Sequence, residues 1–137
     1  MDGMTEMTAE DYDSVERAQQ ALEERGWRPS TLNEHVDDWA SLVEEVEVGY
    51  SMTVYDYTND LAVREWLDQV LPMLTERVRA SLLSRLAPLD ERFLRSTVTP
   101  AGPLPGCGTG TWCRLPRTLV DELREDATRM DLIPSEQ

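Results

Sequence analysis

The chain has 137 residues, 27 of them acidic and 13 basic, so its formal net charge is −14, and every basic residue is an arginine. Hydrophobic residues make up 40%, including four Trp and four Tyr, which is enough to bury a core without a metal or a disulfide staple. A mean hydropathy of −0.48, with no apolar run near the roughly 20 residues that a bilayer span requires, excludes a membrane-spanning helix.

The negative charge is unevenly spread. Residues 1–48 hold 14 Asp and Glu against three Arg, and the remaining 13 acids face ten Arg over residues 49–137. A field of that sign repels nucleic acid and anionic lipid and steers basic partners inward. The opening Met-Asp-Gly-Met-Thr-Glu-Met has neither the basic nor the apolar segment of a signal peptide, so the expected location is the cytoplasm. There, Cys107 and Cys113 are expected as reduced thiols rather than a local disulfide.

Residues 1–7 are expected to be disordered. Thr8-Ala-Glu-Asp11 then opens a first helix with Thr8 as N-cap, an apolar stripe at Val15, Ala18, Ala21 and Leu22, and Gly26 just past its end. Trp27 follows as an anchor before Pro29 turns the chain. The second helix has the clearest start, because Thr31-Leu-Asn-Glu34 is a capping box in which hydroxyl and carboxylate each take the other's backbone N–H. Leu32, His35, Val36, Trp39, Leu42, Val43 and Val46 recur at steps of three and four, and Glu34, Asp37, Asp38, Glu44, Glu45 and Glu47 fill the opposite face.

Gly49 ends that run. Tyr50 to Thr53 reads as a turn, and Thr53-Val-Tyr-Asp56 as a second capping signal; a short strand over Val48 to Tyr55 competes, since Tyr50, Met52 and Val54 alternate. The third helix carries Val54, Tyr57, Leu61, Val63, Trp66, Leu67, Val70 and Leu71 up to Pro72, which either kinks it or begins a fourth. That fourth segment places Leu74, Val78, Leu82 and Leu86 at intervals of four and is expected to close at Pro88. Arg92 to Thr99 is rich in β-formers, 100–110 is a flexible Pro/Gly-rich loop by composition, and Thr111 to Leu115 is the return strand of a hairpin resting on the helices through Phe93 and Trp112. A last helix follows from Thr118, apolar at Leu119, Val120, Leu123 and Ala127. The expected architecture is mainly α: one domain over 1–137, a bundle of about five helices with one C-terminal β-hairpin.

Motifs that carry chemistry are scarce. Asp56 and Asp60 fall one turn apart beside Asn59 and Tyr55, a spacing suited to helix capping, to a polar contact patch, or to a divalent cation, but the run lacks the alternating acids and glycine of a calcium loop. His35, the sole histidine, sits on the core-side edge of its helix, where a structural role outweighs that of a general base. A zinc site from Cys107, Cys113 and His35 would lack a fourth ligand, and without lysine the glycines of the 100–110 loop make no phosphate cradle. No cofactor, metal or catalytic set is expected.

In size, charge and helical make-up the chain resembles the small acidic immunity proteins that neutralise bacterial toxins. That resemblance implies stoichiometric inhibition of a basic protein, without nucleic acid or membrane as partner. Glu34, Asp37, Asp38, Glu44, Glu45, Asp56 and Asp60 would supply the charge, and Tyr50, Tyr55 or Tyr57 the aromatic anchors. Two other classes stay open. One is a small-molecule or enzymatic domain with a pocket built from Tyr57, Trp66, Phe93 and Trp112; the other is an adaptor whose acidic helices mimic nucleic acid.

Overall fold

A computed structural model describes residues 7–107 and 110–135. Three helices begin at the three capping boxes: α1 (Ala9–Glu24) at Thr8 and Asp11, α2 (Leu32–Val48) at Thr31 and Glu34, and α3 (Val54–Val70) at Thr53 and Asp56. In each box the Thr hydroxyl accepts the N–H three residues on, and the acid returns to the Thr N–H. Gly26 and Gly49 adopt φ values of 101° and 135° just past the ends of α1 and α2, a backbone region that only glycine enters cheaply.

The α2–α3 connection is a turn, and its one bridge is parallel, between Tyr50 and Leu119. The two helices pack antiparallel, since the N-terminal end of α2 meets the C-terminal half of α3 where His35 stacks on Trp66 with ring centroids 3.6 Å apart. Pro72 lies in a 3-10 turn over Leu71–Met73, and α4 (Glu76–Arg95) starts from Thr75.

From here the structure corrects several expectations. Helix α4 does not stop at Pro88 but continues for two more turns to Arg95. Pro88 is exposed, and so is Ser84, whose carbonyl loses its partner four residues on, so the bond that proline removes is on the solvent face. Beyond it the helix is held by Phe93, fully buried, and by the bidentate pair of Arg92 with Glu47 at 2.7 and 2.9 Å. The β-hairpin shrinks accordingly, to β1 (Thr97–Val98) and β2 (Leu115–Pro116), antiparallel, with Val98 opposite Leu115. Its loop is tied down: Leu104 is buried, the Ala101 N–H donates to the Leu132 carbonyl at 2.9 Å, and Cys107 and Cys113 form a disulfide instead of two thiols. Their Cα atoms lie 5.9 Å apart, within the range that a disulfide spans. Helix α5 (Asp121–Arg129) begins later than its sequence suggests, because Leu119 and Val120 are drawn into extended backbone beside Tyr50 and Gly49. Of the 1–7 segment expected to be disordered, residues 1–6 lie outside the described residues, as do Gly108 and Thr109 of the loop.

One core runs through the molecule. Trp39 contacts Phe93 and Trp112 at centroid distances of 4.9 and 5.7 Å, and Tyr50 meets Tyr57 edge to face at 5.1 Å. Among the described residues, no helix is long and apolar enough to cross a membrane.

Candidate functional site

Two neighbouring regions of α2 and α3 hold the residues singled out from the sequence. The first is the exposed face of α2. Asp37, Asp38, Glu44 and Glu45 are all exposed, and none of them makes a hydrogen bond or an ion pair to another described residue. Three arginines are committed to other acids: Arg92 to Glu47, Arg64 to Asp68 and Asp90, Arg77 to Asp11. Glu34 is different, since its carboxylate closes the capping box of α2 and accepts from the Ser30 hydroxyl at 2.9 Å. The Thr31 N–H, then the Ser30 hydroxyl, hold its pKa below the usual carboxylate range.

Asp56 likewise caps α3, and Asp60 accepts the Tyr50 hydroxyl at 2.7 Å. Each aspartate thus has a structural partner, and among the described residues no group of three or more His, Cys, Asp or Glu is arranged to hold a metal.

The aromatic anchors divide sharply. Tyr50 and Tyr57 are buried, the latter donating to the Arg114 carbonyl at 2.6 Å, and burial raises both phenol pKa values so that each stays a donor. Neither is a surface anchor, because each closes a gap between α3 and the C-terminal segment. Tyr55 alone is presented to solvent, 59% exposed. Beside it in the chain stand Met52 and Val48, 51% and 77% exposed. Val48 lies one turn beyond Glu44 on the same face of α2. An exposed Val and Met on either side of a turn, outside the apolar stripe, were the signal in the sequence.

Among the described residues, the rings of Tyr57, Trp66 and Phe93, around which a pocket is expected, are buried in the core, and Trp112 covers the Arg64 guanidinium at 4.3 Å. Arg64 is only 4% exposed, and no local pattern in the sequence marks it as buried. It donates twice to Asp90, at 2.9 and 2.8 Å, and once to Asp68 at 2.7 Å, while Trp39 and Trp112 donate their indole N–H groups to the same two acids. That network joins α2, α3, α4 and the segment at Trp112, just after the 100–110 loop, into one unit.

The second region is an open groove of about 770 Å³ between the α1–α2 connection, α2 and α3, lined by Arg25, Trp27, Arg28, His35, Asp38, Glu45, Asn59 and Asp60 among others. His35 is 7% exposed, and its Nδ1 lies 3.0 Å from the Thr31 carbonyl. Since a carbonyl only accepts, Nδ1 carries the proton and Nε2 keeps a lone pair. Burial lowers the His35 pKa, against the Thr31 carbonyl and the charges of Asp38 and Glu34, which raise it. No protein-family model matches this chain, and comparison with curated proteins and with solved structures finds no match.

Proposed function

We propose that this protein is a stoichiometric inhibitor of the immunity-protein kind, which covers a basic protein, a bacterial toxin, with the exposed face of α2 and the turn that leads into α3. The observation that carries the reading is the set of four carboxylates, Asp37, Asp38, Glu44 and Glu45, exposed and unpaired next to the exposed apolar side chains of Val48, Met52 and Tyr55. Exposed acids supply long-range steering and pairing to a basic surface. Apolar and aromatic side chains at the same place supply the desolvated anchors that charge alone does not. Tyr55, with Met52 and Val48, takes the anchoring role in place of the buried Tyr50 and Tyr57. Glu34, Asp56 and Asp60 add to the field while holding their structural bonds.

The test is capture of the tagged protein with the product of the neighbouring gene at low and moderate salt. A one-to-one complex with a basic protein, weakened by salt and lost in the fourfold variant Asp37→Asn, Asp38→Asn, Glu44→Gln, Glu45→Gln, is the expected outcome. Tight binding that survives that neutralisation refutes the acidic-face mechanism. The Tyr55→Ala variant should bind about 2 kcal/mol more weakly, roughly thirtyfold, measured by calorimetry.

A further inference from the structure

The groove beside α2 shares Asp38 and Glu45 with the α2 face and adds a chemistry of its own. Its two ends differ in sign. Arg25 and Arg28 lie at the end formed by the α1–α2 connection, and Arg25 is placed there by its bond to Gln69 of α3 at 2.9 Å. Glu45 and Asp60 lie at the other end, and Asp38 lies between. Along α2, Asp38 and Glu45 are seven residues and therefore about 10 Å apart, a span that the side chains of both walls shorten.

Three carboxylates thus face two guanidinium groups, leaving one negative charge in excess. The groove also contains a ring nitrogen without a partner among the described residues: His35 Nε2 makes no hydrogen bond to them, yet no buried side-chain nitrogen or oxygen lacks one. Nε2 is therefore open to the groove that His35 lines, in a side chain otherwise more than nine-tenths buried and held flat against Trp66. A fixed, lone-pair acceptor in such a place matches an N–H donor on a ligand.

We propose that this groove binds a free cationic amino acid of the arginine or lysine class. The α-carboxylate pairs with Arg25 and Arg28, the α-ammonium donates to His35 Nε2 and pairs with Asp38, and the side-chain cation reaches Glu45 and Asp60. The ligand's single positive charge balances the excess of the lining, and Leu42 and Val63 provide an apolar floor for its methylene groups.

Because His35 is the sole histidine, its ring carbon-bound protons report on the site without ambiguity in a ¹³C-edited NMR titration of the whole chain. L-arginine and L-lysine are the probes; L-norleucine lacks the side-chain cation, cadaverine lacks the carboxylate, and Gly-Gly-Lys presents the same groups at a chain terminus. The expected result is saturable movement of the His35 signals with arginine or lysine, and binding about tenfold or more weaker for norleucine and cadaverine, since each loses a charged hydrogen bond. The variants Glu45→Gln and Arg28→Ala change exposed side chains that make no bond to other described residues, so the fold is kept while arginine or lysine binds more weakly. The proposal is overturned if neither amino acid moves the signals, if norleucine or cadaverine matches them, if both variants bind as the parent does, or if Gly-Gly-Lys binds more tightly than lysine.

Discussion

Arg64 shows how much a single side chain can decide. A guanidinium almost entirely removed from water is tolerable only when its donors are matched, and here Asp90 and Asp68 match them while Trp112 covers its face. Removing one member leaves a buried charge without its partner, so Asp90→Ala should cost about 3 kcal/mol or more in chemical denaturation, far beyond an exposed acid such as Asp37. Nothing in the sequence distinguishes Arg64 from the solvated arginines of α4, because its partner Asp90 is 26 residues away. His35 is the complementary case. Burial lowers its pKa below 6.5 in the folded state, so on acidification the unfolded chain takes up this proton first. Its contribution to stability is fully present above pH 6.5 and is lost as pH falls through 6.5 toward the folded value. Thermal melts between neutral and mildly acidic pH should therefore fall more steeply for the parent than for His35→Phe, which keeps a ring against Trp66 but cannot titrate. The pKa values of Glu34 and Glu47, lowered by the Thr31 N–H and by Arg92 respectively, act in the same direction but over a lower pH range. Their stabilisation is present above the ordinary carboxylate range and is lost only at lower pH, as pH falls through their folded pKa values, which separates them from the histidine.

At the scale of the element, α2 is the piece from which both candidate sites are built, and its two ends are locally encoded. The Thr31–Glu34 box starts it, and Thr31→Ala should cost about 1 kcal/mol in thermal or chemical unfolding. Gly49 stops it at φ 135°, with Val120 side-chain atoms 3.3 and 3.4 Å from where a Cβ would stand. Gly49→Ala therefore meets both backbone strain and a neighbour, and should destabilise by about 1 kcal/mol or more, whereas Gly26→Ala meets no atom within 4 Å and bears the strain alone. Helix α4 teaches the converse. Proline is a stop signal when only local sequence is weighed, yet Pro88 sits inside α4 because its lost bond faces water and the following turns are held by Phe93, Asp90 and Arg92. The β-forming composition of 92–99 loses to the same packing, and only Thr97 and Val98 remain strand.

For the molecule as a whole, the charge distribution and the long-range contacts work at different levels. The excess of acid in the first 48 residues would make association with any basic partner salt-dependent. The Cys107–Cys113 disulfide closes a short loop, six residues in separation, and reducing it should lower stability by about 2 kcal/mol on loop-entropy grounds, read by comparing denaturation with and without a thiol reductant. From the sequence alone came the five helices, the helix starts at Thr8, Thr31 and Thr53, the core-side stripe of α2 and the acidity of its outer face. Each of these depends on residues within one or two turns of each other, so chemistry along the chain is enough to reveal it. Tertiary structure alone decided that Tyr50 and Tyr57 lie inside while Tyr55 lies outside, that Asp126 reaches back 72 residues to the Val54 N–H, and that the two cysteines meet. It also decided that Tyr57, Trp66 and Phe93 are buried in the core, while a groove opens beside His35. These outcomes turn on which distant groups come together in a close-packed interior, where each buried polar group must find its partner, and local patterning carries no record of that pairing.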